Sequence, residues 1–251
     1  MIMTQDSSLH NQQKMTISLI IPAYNEEKYI GQCIEYALRH AHEHVDEIIV
    51  IDNASTDNTR KIAESYPGVR VVTEHKKGLT VARQRGYIEA KYDILAFVDS
   101  DTRVPEGWAK KMKKHFESDH TIGFVSGPYS YYDLPWHKQI GNRLYRRLLG
   151  YPSYLLTGYL GVGGNFAIKK SVLDKINGFD TQIVFYGEDT DIARRAAKVS
   201  KAKFSLNIVM PTSARRFVGE GMIKTAYVYT INFLSQAIFH RSATKTYKDF
   251  R

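Results

Sequence analysis

Apolar residues fall along this chain in short blocks of two alternating kinds. Runs of strand length lie at 17–21, Glu47–Asp52, Val69–Thr73 and Ile94–Val98. Between them the apolar positions recur at helical spacing. Ile30, Cys33, Ile34, Ala37, Leu38 and Ala41 share one face, and further helices are predicted over 59–65 and Leu79–Glu89. Strands alternating with helices of this length predict right-handed βαβ units and a mostly parallel central sheet flanked by helices, an α/β fold. Beyond residue 101, Pro105 suits the first turn of a helix over 106–116. Strands are predicted at 122–129, 164–168 and 203–209, with helices at 171–176, stopped by Asn177-Gly178, and at 187–198. A last helix over 222–240 carries Ile223, Tyr227, Ile231, Leu234 and Ile238 on one face. Residues 1–14 are polar and expected to be disordered.

Three of these strands run straight into polar loops: 23–27, 52–57 and 99–101. In a parallel sheet the three loops share one edge, where open α/β sheets bind ligands. The run Ile94–Val98 meets Asp99-Ser100-Asp101, a DxD, without a break. Carboxylates at a buried strand end suit a hard divalent cation, magnesium or manganese, which also takes phosphate oxygens. Turn formation and helix capping are the competing explanations for Asn25, Asp52 and Asp57. Glu188 and Asp189 open a later helix. Acids are favourable there, but with Asp191 they exceed what a cap needs, and one could serve as a general base on a hydroxyl.

The chain of 251 residues carries a net charge of +9, from 35 basic and 26 acidic residues. That balance suits an anionic partner: nucleic acid, a phosphorylated substrate or an anionic membrane surface. Cys33 is the only cysteine, so an intrachain disulfide is excluded. The first residues lack the apolar core of a signal peptide, and the chain is expected to be cytoplasmic. Residues 148–168 are uncharged and long enough to span a bilayer. Their glycines and Pro152 argue instead for loop and strand near a site. Residues 129–159 hold seven of the 17 tyrosines with Trp136, Arg143, Arg146 and Arg147, a composition typical of contact surfaces.

The ordered set SLIIPAYNEEKYI, EIIVIDNASTDNT, GLTVARQRG, AFVDSDT, GVGGNFAIKKSVLDKINGFD and YGEDTDIARRA resembles glycosyltransferase family 2, with its GT-A fold. The resemblance spans about residues 17–218. It implies a domain over 15–218, with a Rossmann-like nucleotide-binding half at about 15–102 and an acceptor half at 103–218, followed by a helix and basic tail at 219–251. It also implies that Pro22, Ala23, Tyr24, Asn25 and Glu27 cradle the nucleotide. Asp52 would read the base with Arg83 beside it, while Asp99 and Ser100 meet the ribose and Asp101 binds the metal. Gly164 and Asn165 match the segment near the sugar and acceptor, and Asp189, supported by Glu188, matches the catalytic base. Asn53 stands where a second Asp is common, and Gln84 where Asn is frequent. SARRF at 213–217 is the nearest counterpart of the QxxRW motif of processive members. Arg215 and Arg216 within it are suited to clamp a diphosphate.

The resemblance implies inverting transfer of a sugar from a nucleotide diphosphate sugar, with a manganese or magnesium ion, to a glycan or lipid-linked acceptor. A nucleotidyltransferase acting on sugar phosphates would need a glycine-rich, basic first loop, which PAYNEE is not. A nucleic-acid binder is favoured only by charge, and the sequence holds no recognised binding motif for it. The aromatic, arginine-bearing segment, the apolar-faced last helix and the basic tail together predict peripheral docking on the cytoplasmic face of a membrane.

Overall fold

The computed structural model describes residues 15–183 and 186–244. The predicted disorder at 1–14 and the tail residues Lys245, Lys248 and Arg251 lie outside the described residues. So do the Met222 and Ile223 side chains.

Strands β1 (Ile17–Ala23), β2 (Glu47–Asp52), β3 (Val69–Thr73) and β4 (Ile94–Val98) alternate with helices α1 (Ile30–His40), α2 (Thr59–Glu64) and α3 (Leu79–Glu89). There follow α4 (Trp108–Ser118), β5 (Ile122–Ser126), β6 (Tyr129–Tyr131), α5 (Trp136–Tyr145), a π-helical turn (Arg146–Gly150) and α6 (Tyr151–Thr157). The chain continues through β7 (Asn165–Lys169), α7 (Lys170–Lys175), α8 (Glu188–Ala197), β8 (Lys201–Phe204) and β9 (Met210–Thr212). It closes on α9 (Arg215–Glu220) and α10 (Met222–Phe239).

The main sheet has the order β3-β2-β1-β4-β7-β5-β8. Only β7 runs against its neighbours, pairing antiparallel with β4 and β5. Alternate side chains of each strand feed opposite faces, as the two-residue period requires. Leu19, Val50, Ala96 and Val98 pack with Cys33, Trp108 and Met112 on the α1/α4 side. Ile20, Ile49, Phe97 and Phe166 pack with Ala82, Leu173 and Ile192 on the α3/α8 side. β4, covered on both faces, is wholly buried.

Three expectations are corrected. The strand predicted at 122–129 breaks after Ser126, because Pro128 has no N–H to donate. β6 instead pairs with β9 in a separate parallel ladder, and the strand predicted at 203–209 divides likewise into β8 and β9. The segment 148–157, read as loop, is helical. Pro152 lies at the start of α6, which follows directly on the π-helical turn, and Gly158 caps the helix in the left-handed conformation. The apolar face expected of the last helix falls on α10 and lies largely outward. Thr225, Asn232 and Gln236 are buried, whereas Tyr227, Leu234, Ile238 and Phe239 are exposed. No helix among the described residues is long and apolar enough to cross a membrane.

Candidate active site

The carboxyl ends of β1, β2 and β4 and the start of β7 meet on one edge, since Val98 pairs with Asn165 and Ala23 with Asp52. A cavity of about 550 Å³ opens there. Of the residues named from sequence, Pro22, Ala23, Tyr24, Arg83, Asp99, Ser100, Asp101, Glu188, Asp189, Arg215 and Arg216 all line it. Residues nearly two hundred positions apart are thereby brought to one wall.

Asp99 is held from two sides. Tyr129 donates its hydroxyl to Oδ2 at 2.7 Å, and Arg83 Nη2 reaches Oδ1 at 3.3 Å. The Arg83 guanidinium is 1% exposed, donates to the Gly163 carbonyl at 2.6 Å and pairs with Glu188. Arg83 is therefore a buried tie between the DxD and the amino end of α8. A guanidinium left in the interior without these partners would be strongly destabilising. Burial pushes the Glu188 carboxyl up to about 7 against the opposing pull of Arg83. A methyl group at Gly164 would strike the Asp99 carboxylate and the Tyr129 hydroxyl, so glycine there permits the close approach.

Asp101 lies deeper. Its Oδ1 accepts from the Thr212 hydroxyl at 3.1 Å, and its Oδ2 meets Arg215 Nε at 3.0 Å. The same guanidinium grips Glu26 with both terminal nitrogens, at 2.8 and 2.6 Å. Burial pushes Asp101 up to about 7. The Arg215 charge opposes that rise, and the carboxylates of Asp99 and Glu26 add to it. Arg215 thus supplies the positive charge that the acids at this strand end require. The cluster suits a hard cation by donor type, and the guanidinium between Asp101 and Glu26 marks where a cation's charge is wanted. Among the described residues no three acidic, histidine or cysteine side chains form a cage. A cation here would rest on one or two carboxylates plus ligand phosphates, the usual arrangement for magnesium.

Asp189, in the first turn of α8, accepts from its neighbour's N–H, Thr190 N, at 2.7 Å through Oδ1. Burial raises its carboxyl above the ordinary aspartate range. Arg216 lies across the cavity at 3.5 Å from the Tyr186 hydroxyl.

Five named residues do not line the cavity. Asn25, at φ +52°, accepts from Thr56 N at 2.8 Å, and Glu27 accepts from Asn58 N at 3.1 Å. Both fasten the first loop to the second. Asp52 is buried and accepts from Ser55 N at 3.3 Å. Gly164 stands behind Asp99. Asn165 is fully buried, accepting from Trp108 Nε1 at 2.9 Å and donating to the carbonyls of Pro128 and Ile208 at 3.1 and 2.8 Å. Asn165→Ala strands three buried polar partners and is expected to lower stability by about 2–5 kcal/mol, read as a shifted denaturant midpoint.

Glu26, Asn53, Lys77 and Tyr129 also line the cavity and were assigned no individual role in the site from sequence. Asn53 is buried, accepting from Gly78 N at 2.8 Å and donating to Lys76 O at 2.8 Å, which secures the loop ahead of α3. Lys77 lies over the Tyr24 ring at 3.8 Å. The signal for Tyr129 was its place at the start of the tyrosine- and arginine-rich segment 129–159.

Comparison with known proteins assigns the chain to a family. Residues 18–177 match the model for glycosyl transferase family 2, and the chain belongs to that family. Residues 149–216 also match the model described as the N-terminal domain of galactosyltransferase. The glycosyltransferase GlyG of Streptococcus pneumoniae serotype 4 is 33% identical over 120 residues, 46% of this chain and 40% of GlyG. The aligned region thus spans about two fifths of that relative's length. Among solved structures, the mannosyltransferase PcManGT of Pyrobaculum calidifontis, in complex with GDP-Man and Mn2+, superposes with a TM-score of 0.67. It is 20% identical, with 91% of this chain and 65% of that one covered. Glucosyl-3-phosphoglycerate synthase of Mycobacterium tuberculosis, in complex with Mn2+, UDP and phosphoglyceric acid, gives 0.62 at 20% identity, covering 90% and 78%. The fold is the GT-A fold expected from the sequence.

Proposed function

We propose that the chain transfers a sugar, with inversion, from a nucleotide diphosphate sugar to an acceptor hydroxyl. The acceptor is a glycan or lipid-linked molecule of polysaccharide or glycolipid synthesis, met at the cytoplasmic face of a membrane. The observation carrying this reading is that Asp101, Arg215 and Asp189 line one cavity, so diphosphate-binding groups and a candidate base share a wall.

Pro22, Ala23, Tyr24 and Asn53 would border the nucleoside, with Asn25, Glu27 and Asp52 shaping the loops behind it. Asp99, fixed by Arg83 and Tyr129, would meet the ribose beside Ser100. A manganese or magnesium ion held by Asp101 would neutralise charge on the departing diphosphate. Arg215 and Arg216 would bind diphosphate oxygens, which their planar forked donors suit. Asp189 would take the proton of the acceptor hydroxyl as that oxygen bonds to the anomeric carbon. The carbon–oxygen bond to the diphosphate breaks on the opposite face, and its electron pair leaves with the phosphate. The leaving group needs no proton, so one carboxylate suffices where a glycosidase uses two.

The test is release of nucleoside diphosphate from a panel of nucleotide sugars, with and without manganese. Manganese-dependent release from at least one donor is expected. Pyrophosphate release from nucleoside triphosphate and sugar phosphate, with no such turnover, would instead establish a nucleotidyltransferase.

A further inference from the structure

The helical arch α5–π-turn–α6 has two faces with different contents. Asn142, Tyr145, Arg146, Leu149 and Ser153 line the cavity. The face beside them carries Trp136, Ile140, Leu144 and Leu148 at every fourth position, with exposures of 75, 44, 52 and 67%. Arg143 and Arg147 stand exposed next to that stripe. α10 repeats the arrangement. Tyr229, Thr230, Asn232, Phe233 and Leu234 line the cavity, while Tyr227, Ile238 and Phe239 are exposed and the polar Thr225, Asn232 and Gln236 are buried. A helix in water is expected to bury its apolar face, and α10 does the reverse. The two segments meet where the Tyr145 hydroxyl lies 3.4 Å from that of Thr230. No Asp or Glu occurs from residue 134 to 173, or from 221 to 239.

We propose that these outward faces form one docking surface for an anionic lipid bilayer, which sets the cavity beside the bilayer. The inference rests on the reading of the cavity as a transferase site whose acceptor is lipid-linked. Exposed apolar patches of this extent mark interaction sites. The occupant is chosen by charge. A second copy meeting this face across a two-fold axis would bring up the same surface, whose two helices hold no acid to answer Arg143 and Arg147. Anionic headgroups answer them directly, and a tryptophan at the edge of an apolar stripe is placed as at a membrane interface.

The chain has two tryptophans, Trp108 at 1% exposure and Trp136 at 75%. A change of emission on adding vesicles therefore reports Trp136. The full chain is mixed with vesicles of phosphatidylcholine alone, or of phosphatidylcholine and phosphatidylglycerol in equal parts. Flotation and a blue shift are expected with the anionic vesicles, with the shift lost but flotation kept in Trp136→Phe. Arg143→Gln with Arg147→Gln should weaken partitioning about thirtyfold, given the usual contribution of each basic residue near an anionic surface. Leu144→Asp with Leu148→Asp should abolish it. None of these residues lines the cavity, so nucleoside diphosphate release in solution should be unchanged. That readout separates failure of docking from failure of the transferase reading. Circular dichroism checks folding, and the arginine pair carries the test if the leucine pair unfolds. Absence of flotation, or flotation unchanged in the arginine pair, overturns the proposal. So does a dimer, seen by light scattering, that Leu144→Asp splits without loss of vesicle binding.

Discussion

Asp189→Asn is expected to bind donor with near-normal affinity and to transfer sugar about 100- to 10,000-fold more slowly, the usual cost of losing a general base. The amide keeps the shape and the bond from Thr190 N to the side-chain oxygen, but it cannot accept the acceptor's proton. Donor affinity, measured by calorimetry with nucleoside diphosphate, depends on the Asp101 and Arg215 side of the cavity and should hold. Burial raises the Asp189 carboxyl above the ordinary aspartate range. The active form is the carboxylate, so the wild-type rate should fall as pH drops, with its midpoint above that of a free aspartate. The variant's residual rate should lack that limb. Near-normal transfer by Asp189→Asn with donor binding intact would assign the base elsewhere.

Asp101→Ala is expected to remove divalent-dependent turnover, a loss of about a thousandfold, matching several kcal/mol of charge stabilisation. The fold should persist, because Arg215 keeps both bonds to Glu26 and β4 is anchored by its own buried side chains. Manganese titration of turnover, beside thermal unfolding of both proteins, separates the two effects. Full activity of the variant in chelator would end the assignment of a cation to Asp101.

The sheet was legible because its signal is periodic. β2, β3 and β4 begin and end where the apolar runs do, and α3 spans the residues read for it. Asp99, Asp101, Arg83 and Asp189 could be named because each sits at a strand end or opens or faces a helix within a recognisable motif. The turn PAYNEE has no period. Which of two adjacent glutamates enters the cavity is set by the left-handed Asn25 and by the hold of Asn58 on Glu27, so Glu26 was passed over in favour of its neighbour. Asn53 likewise gave no hint that it, rather than Asp52, reaches the cavity wall. At 148–157 the glycines and Pro152 were read as breakers. Their positions at a π-turn and a first turn make them compatible with helix. In α10 the spacing identified an apolar face, but periodicity says nothing about which side the face takes. Thr225, Asn232 and Gln236 took the inside.

In the proposed reaction one carboxylate assists a single displacement at the anomeric carbon, which inverts its configuration. Proton NMR of the product, recorded during turnover of whichever nucleotide sugar the release assay selects, reads the new linkage directly from the anomeric coupling constant. An α-linked donor should give a β-linked product from the first spectrum onward. A product that keeps the donor's configuration would contradict the account.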